Sequence, residues 1–303
     1  MSYDLFFRTR PGSHAITPDA FREYFRARRH YTVRESQAWY ANEDSDVYFS
    51  FELPGEREPL DIEEEHAEGY VPEDASFNLN YFRPHVFGLE AEPEVSAFIE
   101  AFDPLLEDPQ VGGMGEGPYS PEAFLRGWDR GNAFAYSAAA ASGSVEEGQL
   151  SLPAAVIESI WRWNVQRSAL QERLGESVFV PRVMFHSSDA KALSFVVWTD
   201  GMAALLPVVD TVLLVRVDLA PRRFFRRRQD IAVLPWSEVE RATVAYPVED
   251  GVLPFKRLHY PARPKDIERW VSSLPTAGVL PQRIGLDHVL GRELLDSPPA
   301  THA

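Results

Sequence analysis

The sequence predicts an α+β protein. Three observations lead there. Alternating aromatic and polar residues fill the first third. Two long middle stretches carry apolar residues at helical spacing behind serine–proline or proline starts. Runs rich in valine and leucine, punctuated by Asp–Gly turns, fill the remainder. The 303 residues suffice for two domains, and 45% hydrophobic and 12% aromatic content excludes global disorder.

The elements follow in order. "YDLFFRT" reads as a strand, ended by the turn Pro11–Gly12. Thr17 then supplies an N-cap and Pro18 the first helical position, with Phe21, Tyr24 and Phe25 on one face. "SQAWYANEDSDVYFSFEL" reads as a hairpin, with Val47, Phe49, Phe51 and Leu53 alternating onto one side and "NEDSD" as the turn. "SFNLNYFRPHVFG" offers another strand through Phe77, Leu79 and Tyr81, and a helix is expected to start near Pro93. Strand, helix, hairpin, strand and helix together predict a ferredoxin-like sandwich.

After the glycine-rich "QVGGMGEGPYS", Ser120–Pro121 open one helix and Ser151 to Pro153 a second, which Gly175 stops. The runs "SVFVPRVMF", "ALSFVVWTD", "DTVLLVRVD", "DIAVLPW" and "ATVAYPV" then read as strands, followed by a helix in "PKDIERWVSSL". The expected divisions are residues 1–112, an α+β domain with an acidic connector; 113–175, a helical pair; 176–290, an antiparallel β-rich domain with a terminal helix; and 291–303, a disordered tail.

Several chemistries find little support. Cysteine is absent, which removes disulfides, thiolate metal sites and a cysteine nucleophile. The start "MSYDLFFRTRPGSH" lacks the pattern of a signal peptide, and no apolar run is long enough to cross a bilayer, so the expectation is a cytoplasmic protein without a membrane partner. The loop Gly112 to Gly117 lacks the preceding strand and following Lys–Ser/Thr of a phosphate cradle and reads as a hinge. His66 stands alone among glutamates, without metal-ligand spacing. His186, Ser187 and Asp189 would make a triad on paper, yet neighbours on a strand point to opposite faces. No cofactor, metal or catalytic residue is nominated. A hydrolase or transferase with an interdomain site, using His85 or His186 with carboxylates, is the alternative class.

Trp161, Trp163, Ile157 and Ile160 read as core, and Gly127 and Gly131 as sites of close approach by another element. "RRFFRRR" (Arg222 to Arg228) is the one basic cluster and reads as a hairpin tip.

Charge is the strongest functional signal. Residues 1–150 hold 29 acids against 11 arginines, a balance of −18; the other residues hold 17 acids against 19 bases, a balance of +2. The connector "ELPGEREPLDIEEEHAEGYVPED" carries ten carboxylates and one arginine. Such a field disfavours nucleic acid and attracts a basic protein. The expected partner-binding residues are Glu43, Asp44, Asp46, Glu56, Glu58, Asp61, Glu63, Glu64, Glu65, Glu68, Tyr70, Glu73 and Asp74, with Phe77 and Tyr81 as further aromatic anchors.

The motifs "YDLFFRTRPG", "QAWYANEDSDVYFSFEL", "NYFRPHVFGLEA" and "GWDRGNAFAY" resemble a group of uncharacterised bacterial proteins associated with toxin–immunity systems, over about residues 1–140. The resemblance implies a non-enzymatic immunity or inhibitor protein that occludes the active surface of a basic cognate toxin. It carries over no site residue.

Overall fold

The computed structural model describes residues 1–54, 74–110, 113–115, 117–142, 150–223, 226–227 and 229–295. The fold is mixed α+β, in two compact units: Met1–Glu147 with Leu290–Ala303, and Gly148–Val289.

The first unit contains β1 (Ser2–Arg8), α1 (Pro18–Arg26), β2 (Tyr31–Val33), β3 (Gln37–Asn42), β4 (Val47–Glu52), β5 (Ala75–Asn80), α2 (Val86–Phe102), β6 (Leu105–Glu107) and α3 (Pro121–Ala141). Its sheet runs β2-β3-β4-β5-β1-β6, every neighbouring pair antiparallel. Alternation sets its two faces. Tyr3, Leu5 and Phe7 of β1, Phe49 and Phe51 of β4, and Phe77 of β5 point inward and are buried. Phe51 lies 4.9 Å from Phe25 of α1 and 5.0 Å from Phe98 of α2, ring centre to ring centre. Phe124 of α3 meets Tyr3 edge-on at 5.4 Å. All three helices therefore lean on the same aromatic face, where each buried ring contributes roughly 2–3 kcal/mol.

Local chemistry starts the helices as expected. Thr17 caps α1 by accepting from the Ala20 amide, and Ser120 caps α3 by accepting from the Ala123 amide, each with proline next in the chain. For α2 the expectation fails: the helix begins at Val86, and Pro93 lies inside it. Its first two turns bury Val86, Phe87, Glu90 and Ala91, which outweighs the hydrogen bond that proline removes. Gly127 and Gly131 of α3 do admit another element. A Cβ at Gly127 would stand 2.7 Å from the Tyr3 hydroxyl, and one at Gly131 would overlap that of Tyr81.

The second unit holds β7 (Leu150–Leu152), α4 (Ala154–Leu174), β8 (Met184–Ser188), β9 (Lys191–Thr199), β10 (Ala204–Pro207), β11 (Thr211–Arg216), β12 (Arg222–Arg223), β13 (Arg226–Arg227), β14 (Asp230–Pro235), α5 (Trp236–Ala242), β15 (Val248–Glu249), β16 (Phe255–Leu258), α6 (Lys265–Ser273) and β17 (Arg283–Ile284). A short strand, β18 (Val289–Gly291), and a one-turn helix, α7 (Arg292–Leu295), end the described chain.

The main sheet of this unit, β14-β11-β9-β8-β17, is mixed where an antiparallel one was expected, because β9 and β11 run parallel. The chain turns at Asp200–Gly201, sends β10 to pair with β16 instead, and returns in the original direction. Two other expected strands differ. In "SVFVPRVMF" only Met184 onward is strand: Phe179 makes an isolated bridge to Ala204, and α4 takes the bonds that follow, Trp163 Nε1 donating to the Pro181 carbonyl and Asn164 clamping both polar groups of Val183. "ATVAYPV" contains the end of α5 and a turn, whose Thr243 and Tyr246 carbonyls accept from the buried Lys256 ammonium at 3.1 and 2.9 Å. Arg216 is fully buried, paired with Asp230 at 2.7 Å, and donates to the Val271 and Leu274 carbonyls at the end of α6.

Candidate partner-binding face

The described members of the acidic set occupy two places. Glu43, Asp44 and Asp46 form the turn between β3 and β4, whereas Asp74 stands just before β5, beside the far end of β4. Five strand steps separate these ends, about 17 Å. Glu56, Glu58, Asp61, Glu63, Glu64, Glu65, Glu68, Tyr70 and Glu73 lie outside the described residues, as do His66 and the expected tail from residue 296 onward. The Asp74 carboxylate is engaged, accepting from the Thr9 amide at 2.6 Å.

The turn is anchored from below. Glu90 Oε1, buried on α2, accepts from Tyr40 Oη at 2.8 Å, Asn42 Nδ2 at 2.7 Å and Ser45 Oγ at 2.9 Å. Asn42 Oδ1 also accepts from the Asp44 amide, and Asp46 adopts a left-handed conformation with φ of 65°. This fixes the tip and leaves Glu43 exposed.

The aromatic neighbours differ from those expected. Phe77 is fully buried in the core, and Tyr81 is buried against Trp128, their ring centres 5.5 Å apart. Neither is available to a partner, because both point to the helix-covered side. Trp39 instead stands on the outer face, 37% exposed, stacked on Tyr48 with ring centres 5.6 Å apart and planes 21° apart. The Arg83 guanidinium lies 5.6 Å from the centre of the Tyr48 ring, and its Nε donates to the hydroxyl at 3.0 Å. Asn132 of α3 positions this segment by accepting from the Phe82 amide and donating to the Arg83 carbonyl. The signal for Trp39 lay in "QAWYAN", where it has the opposite parity to the buried Ala38 and Tyr40.

Much of the first unit's acidity serves the fold. Glu90, Glu92 and Glu94 of α2 each accept a phenol, from Tyr40, Tyr119 and Tyr31 respectively. Burial, followed by the nearby carboxylate charge, holds Tyr31 and Tyr40 well above the usual phenol range. Arg8–Glu107, Arg10–Asp103, Arg22–Asp19 and Arg28–Glu94 are ion pairs.

The glycine-rich stretch closes on its own carboxylate: Asp108, buried, accepts from the Tyr3 hydroxyl and from the Gln110 and Met114 amides. His186 Nε2 lies 3.2 Å from Thr211 Oγ1, while Asp189 sits in the β8–β9 turn with φ of 48°. Desolvation raises the pKa of the Asp129 carboxyl on α3, and nearby His85 offsets part of that rise. Arg222 pairs with Arg227 and Arg223 with Arg226 in the β12–β13 ladder, the hairpin expected of the basic cluster. Among the described residues no three histidine or carboxylate side chains gather as metal ligands, and no helix is long and apolar enough to cross a membrane. Comparison with family models, curated proteins and solved structures finds no match.

Proposed function

We propose that this chain is a non-enzymatic binding protein of the immunity or inhibitor type, which captures a basic toxin in the bacterial cytoplasm and covers its active surface. The observation that carries the reading is the pairing of an anchored acidic tip, Glu43 to Asp46, with the solvent-facing Trp39–Tyr48 stack on the same hairpin. Carboxylates accelerate encounter with a cationic protein by roughly 10–10³-fold at low salt. Aromatic contact then slows departure, since buried tryptophan and tyrosine dominate binding energy at interfaces. The acidic connector adds to the same field through its sequence. The β6-β1-β5-β4 order, with α1 and α2 between strands, supports reading the first unit as a ferredoxin-like sandwich extended by the β2–β3 hairpin.

The test is capture from the native host at low and high salt with wild type and Trp39→Ala. A basic protein that binds wild type, weakens with salt and is released faster from the variant is the expected result. Recovery of no basic protein under either condition overturns the reading.

A further inference from the structure

The outer face of the first unit's sheet carries two carboxylates that meet only neutral donors. Asp4 accepts from Ser2 Oγ at 2.9 Å and Asn78 Nδ2 at 2.6 Å. Glu52 accepts through Oε1, from Gln37 Nε2 at 2.8 Å and Ser50 Oγ at 2.9 Å. Among the described residues no cation pairs with either, although four other carboxylates of this unit have arginine partners. Arg83, the cation described on this face, is engaged with Tyr48 instead.

Strand register fixes what stands beside Glu52. Trp39 lies opposite Ser50, and Gln37 opposite Glu52. Tyr48, Ser50 and Glu52 share one side of β4, so Trp39 has Tyr48 on one diagonal and Glu52 on the other. The Tyr48 diagonal is filled by ring stacking. On the Glu52 diagonal, an exposed indole adjoins a carboxylate whose hydrogen bonds all fall on one oxygen.

We propose that Trp39 and Glu52 form a subsite for an arginine side chain of a protein partner, the guanidinium lying on the indole and donating to Glu52 Oε2. This rests on the reading of the chain as a binder of cationic protein and narrows it to one side chain. Arginine suits the site better than lysine, because a planar guanidinium stacks on a ring and donates in its own plane at once. The protein already uses this arrangement, with the Arg83 guanidinium over Tyr48 while its Nε donates to the hydroxyl. An incoming arginine extends the same ladder by one rung.

The experiment is ¹⁵N NMR of the full chain, following the Trp39 indole signal identified with Trp39→Phe. It is titrated with blocked pentapeptides of glycine around one central arginine, lysine or citrulline. The arginine peptide should move the signal at millimolar concentration, the lysine peptide should bind several-fold more weakly, and citrulline should have no effect. Glu52→Gln keeps the acceptor for Gln37 and Ser50 but removes the charge, and should weaken binding about fivefold. Glu100→Gln, on the exposed end of α2, should leave it unchanged. An unmoved Trp39 indole, or equal shifts with citrulline, refutes the subsite. Loss of arginine binding in a Glu43→Gln, Asp44→Asn, Asp46→Asn variant, with Glu52→Gln behaving as wild type, refutes the subsite while leaving the broader reading intact.

Discussion

The Tyr40 hydroxyl donates to Glu90 Oε1 at 2.8 Å, and through that one oxygen α2 holds the acidic turn of the β3–β4 hairpin. Glu90→Ala strands three buried donors and should cost about 3 kcal/mol or more, as buried unsatisfied groups cost about 1–3 kcal/mol each. Glu90→Gln retains one acceptor oxygen and should cost less. Urea denaturation gives the magnitudes, and faster amide exchange confined to residues 42–47 would localise the effect.

Two glycines of α3 make a sharper case. Gly131→Ala places a methyl group against the Tyr81 hydroxyl and should destabilise by roughly 1–3 kcal/mol. Tyr81→Phe removes the opposing oxygen, so the double variant should recover part of that loss, a coupling readable from a double-mutant cycle. Additive losses would mean that the close approach is relieved elsewhere.

In the second unit, Arg216→Met leaves Asp230 without its arginine and the Val271 and Leu274 carbonyls without a donor. The expected loss is about 3–5 kcal/mol, measured by denaturant unfolding. Arg216→Met with Asp230→Asn should lose less, because no uncompensated buried charge remains.

Alkaline pH should weaken the first unit. Burial pushes the phenols of Tyr24 and Tyr81 up to about 12, and those of Tyr3, Tyr40 and Tyr119 higher still. An unfolded tyrosine ionises near pH 10, so above that pH the unfolded state holds fewer protons than the native one, and stability falls as pH rises. Lys256 works in the opposite sense, since burial lowers its pKa and the unfolded lysine binds its proton more readily. Lys256 belongs to the second unit, where burial also raises the Tyr260 phenol, so the decline expected of the first unit stands. Melting temperature from pH 8 to 11 checks this, and Tyr40→Phe should flatten the decline.

Local signals were readable in the sequence; non-local ones were not. Thr17–Pro18 and Ser120–Pro121 start their helices where expected, because capping depends on residues three apart. Pro93 hid the start of α2, since tertiary burial kept a proline inside a helix that propensity would end. The parallel pairing of β9 with β11 depends on β10 leaving for β16, a choice made by residues some fifty positions away. At the candidate face, the acidic turn is visible as composition, while Trp39 and Glu52 are brought to diagonal positions only by register, and Phe77 and Tyr81 lie buried on the helix-covered side.

A sheet with all its helices on one side gives its two surfaces different freedoms to change. Substitution among Phe7, Phe51, Phe77 and their packed rings disturbs the whole unit. Trp39, Glu52 and Asn78 bear on the opposite surface, and of the aromatic stack there only Tyr48 reaches a helix, edge-on to Phe87 of α2. A handful of outward positions can therefore change without disturbing the architecture that presents them.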